Sequence, residues 1–135
     1  MKIFLVPIVF FAGIAFGSEI QAPQNLLRRE MAALDRAFKA TVDAIVLNEP
    51  EKIGPAFSEV NAIRGEVEHA VKGHAKLALP RNQKRYREFV RLDDKFHHEL
   101  TTLLKAAKKK NMLTVRRQTH RLLDLCVRCH VVFRK

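Results

Sequence analysis

Only two cysteines occur among the 135 residues, three positions apart. That is too few for a structural zinc site with four Cys/His ligands, and no H-x(3-5)-H pattern follows them. Sustained strand alternation is also missing, so the βαβ setting in which a thioredoxin-like C-x-x-C opens a helix is absent. No Ser/His/Asp or paired-carboxylate arrangement is suggested by the spacings, and the chain is not expected to be an enzyme. Long apolar runs are confined to residues 3–16, where Pro7 interrupts a stretch shorter than the ~20 residues a spanning helix needs. Acidic residues are scarce, at 14 against 25 Lys and Arg.

What the chain does contain is Cys126-Val127-Arg128-Cys129-His130, close to its C-terminal end. In C-x-x-C-H two thiols can each add to a vinyl group of haem, and the adjacent imidazole can bind the iron as its proximal ligand. Covalent haem is therefore the favoured reading, ahead of a dithiol or disulfide, with zinc last.

The N-terminus supports the same chemistry. Met1-Lys2 forms a short positive start, the apolar run follows, and Ala15-Phe16-Gly17 places small residues at the cleavage-determining positions. Residues 1–17 are expected to be a secretory signal peptide cleaved before Ser18, leaving 18–135 as one domain. Haem of the c type is attached outside the cytoplasm in bacteria, so export and C-x-x-C-H reinforce each other. The formal net charge of +11 favours acidic proteins or anionic surfaces as partners, and export argues against nucleic acid despite that charge.

Hydrophobic periodicity divides the rest into four amphipathic helices. The first seam runs through Leu27, Met31, Leu34, Phe38, Thr41 and Ile45, predicting a helix over about 23–47 that stops at Asn48-Glu49-Pro50 and Gly54-Pro55. The second runs through Ala56, Val60, Ile63, Val67, Ala70, His74 and Leu77, ending before Pro80. The third includes Tyr86, Phe89, Phe96, Leu100, Leu103 and Ala107, followed by Lys108-Lys109-Lys110 and a turn at Asn111. The last passes through Met112, Val115, Thr119, Leu122, Cys126, Cys129 and Phe133, placing both cysteines on its buried stripe. Short connections favour an all-α, antiparallel up-down-up-down four-helix bundle.

With this helical pattern, an export signal and C-V-R-C-H in the final helix, the chain resembles the cytochrome c-prime family, the class II c-type cytochromes, over essentially the whole mature length. Most other c-type cytochromes carry the motif near the N-terminus. The resemblance implies a periplasmic protein with one haem c inside one end of the bundle, attached through Cys126 and Cys129, with His130 on the iron. Members differ on the far side of the iron. Some leave it empty and bind small gases, whereas others place a first-helix methionine there and carry electrons.

Met31, in Leu26-Leu27-Arg28-Arg29-Glu30-Met31, matches that methionine; otherwise it is a gap-filling core residue. His74 is the competing distal ligand. Tyr86, Phe89 and Phe133 are candidates to wall the haem, with ordinary core packing as the alternative. Arg28 and Arg29 either meet propionates or form a solvated cationic face. One of His97 and His98 is read as a partly buried histidine near Asp93, while His69 and His120 are read as surface residues. The function implied is single-electron transfer with acidic redox partners; the alternative is a five-coordinate haem protein binding nitric oxide or carbon monoxide. Many family members pair as homodimers through helices one and two, and that arrangement stays open here.

Overall fold

The computed structural model describes residues 23–72 and 76–134. The expected signal segment, its expected cleavage site and His74 therefore lie outside the described residues. Among the described residues every regular element is helical: α1 (Pro23–Leu47), a 3-10 turn (Pro50–Lys52) running into the short α2 (Ile53–Ala56), α3 (Ser58–Lys72), a second 3-10 turn (Gln83–Arg85), α4 (Tyr86–Lys108) and α5 (Met112–Phe133). No described helix is long and apolar enough to cross a membrane.

The helix ends have local causes. Asn48 lies at φ 57° just past α1, where its N–H reaches the Ile45 carbonyl while the Glu49 N–H reaches that of Ala44. This is a Schellman closure on an asparagine, one of the few side chains that tolerates the left-handed region. Lys110 repeats the device after α4 at φ 54°, with Lys110 and Asn111 N–H groups on the carbonyls of Ala107 and Ala106. Asn111 then caps α5, its side-chain oxygen accepting from the Thr114 N–H at 3.0 Å. The breakers between the first two seams are not loose loop: Ile53 and Phe57, both fully buried, pin α2 against the interior.

The second seam departs from expectation. Its described helix stops at Lys72, and residues 76–80 are not helical. Leu77 is still buried, but its N–H donates to Tyr86 Oη at 3.3 Å and its carbonyl accepts from Gln83 Nε2 at 3.1 Å. Gln83 Oε1 also accepts from the Leu79 N–H at 2.8 Å. Pro80 biases Leu79 away from helical geometry, and these two side chains supply the partners a helix would have given.

In the interior, α4 packs most extensively on α5, and α1 on α3. Leu100, Leu103, Leu122, Val60 and Val115 form its centre. Full burial of each leucine contributes roughly 2 kcal/mol. Phe38 joins three elements, its ring 5.7 Å from Phe57 and 6.2 Å from Phe96. Thr41 and Thr119 are buried on the seams because each hydroxyl donates to a carbonyl one turn back, Ala37 and Val115 respectively. Between helices, Arg29 pairs with Glu66 and Arg36 with Glu59, while the Gln118 amide donates to Glu99 and Phe89 meets Phe133.

Leu27, Leu34, Phe38 and Thr41 of the predicted α1 seam are buried, but the deepest line runs along one side of that seam. Leu26, Glu30, Ala33, Ala37, Thr41 and Ala44 form the deepest line, whereas Met31 and Ile45 are half-buried on its flank. Alanines allow close helix approach, so the centre of the contact is poor in large apolar side chains. A seam traced through the larger residues follows its edge.

Candidate functional site

The C-V-R-C-H motif occupies the last two turns of α5. A spacing of three residues puts both thiols on one side of the helix, one turn apart. Both are half-buried, free and packed against the core, while Val127 and Arg128 between them are exposed. The deepest positions of this segment are Leu122, Leu125 and Phe133. The cysteines share the buried stripe with these residues and, near the end of the helix, are half-buried on it.

Their electrostatics describe thiols of low acidity. Burial pushes the Cys126 thiol up, and burial, Asp93 and Cys126 together push Cys129 up to about 11. A reactive dithiol needs the opposite, a thiolate stabilised at a helix N-terminus or beside a cation. These thiols sit near the C-terminal end of α5, where the helix dipole disfavours negative charge. His130 is half-buried, and burial, followed by Arg134, lowers its pKa. Its imidazole is neutral at pH 7, the form that ligates metal.

Three predicted aromatic residues meet beside the motif. Phe89 and Phe133 pack edge to face with centroids 5.6 Å apart, and Tyr86 lies 6.1 Å from Phe89. The chain is tied down there, with the Arg81 N–H donating to the Phe133 carbonyl and the Asn82 amide to that of Val132. Met31 packs half-buried against the core at the start of α1. Arg28 is exposed, and Arg29 pairs with Glu66 at 2.7 Å. His69 and His120 are exposed, as their positions predict.

The residue-pattern reading missed an ionic network across α1, α3 and α4. Glu30 is only 1% exposed and faces His97 Nε2 at 3.1 Å; His97 also lies 3.6 Å from Asp93. Arg64 pairs with Asp93 and, at 2.9 Å, with Asp94. Burial and then Glu30 raise the Asp93 pKa, against the opposing pull of Arg64 and His97. Asp93 also faces Cys129 closely enough to raise that thiol, so the network borders the motif. Asp93 and His97, four apart on α4, were legible as a pair. Glu30 was not, because a carboxylate on the innermost line of a helix has no local sign in the sequence. Glu30, Asp93 and His97 could together face a metal ion, but Arg64 already supplies their cation.

The donor set fits covalent haem. Two unlinked sulfurs share one helix face, a neutral imidazole follows the second, and an aromatic cluster stands beside them. Two surface cavities of about 410 and 490 Å³ lie elsewhere, the first near Pro50 and Leu104, the second between α1 and α5 near Val42 and Leu123. Compared with family models, curated proteins and solved structures, the chain matches none.

Proposed function

We propose that this chain is an exported class II c-type cytochrome that transfers single electrons. Cys126 and Cys129 would hold one haem c through thioethers, with His130 as the proximal ligand and Met31 as the distal one. The observation that carries the reading is C-V-R-C-H itself, with both free sulfurs turned to the core side of one helix. Bound there, haem supplies a one-electron ferric/ferrous couple.

The chain's own residues supply attachment, ligation and surroundings. The α5 turn sets the sulfur spacing, the neutral His130 would offer a ring nitrogen, and Tyr86, Phe89 and Phe133 would provide an apolar wall that favours the less charged form of a bound haem. The contact register supports the antiparallel up-down-up-down bundle. Arg29 with Glu66 and Arg36 with Glu59 run in opposite order along α1 and α3, as Phe89 with Phe133 and Glu99 with Gln118 do along α4 and α5. In such a bundle the start of α1 lies beside the end of α5, which brings Met31 to the level of His130. Export to the periplasm rests on the sequence of residues 1–17, and the basic surface suits acidic redox partners.

A second reading has its own observation: Met31 is off the central line of α1, which Glu30 occupies. Without Met31 as a ligand, a haem held by Cys126, Cys129 and His130 would be open to nitric oxide or carbon monoxide. Absorption spectra of the purified exported protein in both oxidation states separate the readings. A low-spin ferric form with a sulfur-to-iron charge-transfer band is expected. A high-spin spectrum with rapid carbon monoxide uptake would establish the second reading, and a colourless product made with haem-attachment machinery would sink both.

A further inference from the structure

The outer face of α5 combines exposed apolar and cationic residues in an order that ordinary solvation does not require. Leu113, Leu123, Val127 and Val131 are all exposed, the last two at 61% and 74%. At 100° per residue they fall in one sector, which the exposed His120 and Asp124 share and which lies on the side of α5 turned away from the two thiols. Arg117, Arg121 and Arg128, also exposed, line one side of it. Asp124 is the single acid in α5, and the helix contains four arginines and no lysine. That bias matters because protein interfaces enrich Arg and deplete Lys, and the guanidinium fork binds carboxylates in a bidentate way.

We infer that this face of α5 is the docking surface for an acidic redox protein whose contact patch is aliphatic at its centre and carboxylate-rich at its rim. The inference rests on the electron-transfer reading and gives it a location. The stripe from Leu113 to Val131 is about 27 Å long and one helix wide, roughly 300 Å² per partner. That lies far below the ~800 Å² per partner of a stable complex and suits a transient redox encounter, not a permanent pairing of two copies. Charge complementarity selects the partner, since a second copy would bring an equally cationic α5. The exchange would move one electron and neither bond nor proton: a haem held through Cys126, Cys129 and His130 would supply the electron, and the acceptor would be reduced by one.

The test uses the full exported holoprotein and an acidic blue-copper protein as probe. Stopped-flow oxidation is compared for wild type, Arg117→Glu/Arg121→Glu, and Lys76→Glu/Lys95→Glu, a double with the same charge change outside α5. At low ionic strength the α5 double should slow the bimolecular rate by about tenfold or more and flatten its salt dependence, while the control loses about threefold or less. Equal loss in both doubles would assign the effect to net charge alone and overturn the proposal. A readout independent of electron transfer is methyl NMR with the copper replaced by redox-inert cadmium. Shifts at Val127 and Val131 are expected; shifts confined to Val42 and Val46 of α1 would overturn the assignment. If sedimentation shows wild type dimerising through Val127 and Val131, the face belongs to a second copy and the proposal fails. A wild type that lacks haem refutes the functional reading, while the NMR arm still tests docking.

Discussion

Arg64 offers the most demanding test of how this interior is balanced. Its guanidinium, 17% exposed, faces Asp93, 15% exposed, and behind them sits Glu30 with His97. Replacing Arg64 with Met keeps much of the stem volume but removes the only permanently charged cation of the network. Breaking a buried pair by deleting one partner costs about 3–5 kcal/mol. The remaining solvent contact of both side chains places Arg64→Met near the lower end, about 3 kcal/mol at pH 7, a fall in Tm on the order of 10 °C.

The pH dependence sharpens the prediction. Asp93 has a folded-state pKa raised above its usual value, chiefly by burial and then by Glu30. An acid of this kind binds its proton more tightly in the native state, so between its unfolded and folded pKa values stability falls as pH rises. Losing Arg64 removes the main attraction that holds Asp93 down, which extends that slope upward. The defect of Arg64→Met should therefore shrink on acidification from pH 7 toward 4.5. Adding Asp93→Asn should restore at least half of the loss, because a buried charge without its partner is costlier than no pair at all. Urea unfolding followed by far-ultraviolet circular dichroism measures all of this. A neutral-pH loss below about 0.5 kcal/mol, or a defect that deepens on acidification, would refute the reasoning.

Three further outcomes follow from local geometry. In protein made without haem attachment, Cys129, raised to about 11 from 9.0, should react with iodoacetamide at pH 8.5 roughly a hundredfold more slowly than in urea, since each unit is a tenfold loss of thiolate; equal rates would show that its burial is not as described. Phe89→Ala should cost about 3 kcal/mol in chemical denaturation, because the ring is buried edge-to-face against Phe133. Asn111→Ala should cost about 1 kcal/mol through the lost cap, whereas Lys110→Gly should gain roughly 0.5–1 kcal/mol by relieving a left-handed residue; the two changes moving in the same direction would contradict the turn geometry.

The helical character of the chain was legible because large apolar residues repeat at helical spacing, and α1 falls where its seam predicts. The C-terminal part of the second seam was not, because Leu77 is buried in non-helical backbone that Gln83 and Tyr86 satisfy from downstream. No local pattern encodes that exchange of partners. The candidate site divides in the same way. Cys126, Cys129 and His130 stand out as candidates through fixed spacing, a property of the chain alone. The depth at which a helix sits is a property of its neighbours, and on α1 it decides between Glu30 and Met31. Alanines at positions 33, 37 and 44 let α1 approach closely, turning Glu30 inward and Met31 to the flank. For Met31 to reach an iron at His130, α1 must be rotated relative to this structure or the cofactor must lie toward that flank. Under the proposed haem reading either condition would tie a sixth ligand to the buried carboxylate one residue earlier, so Glu30→Gln should shift the low-spin to high-spin balance in the ferric absorption spectrum; an unchanged spectrum would break that tie.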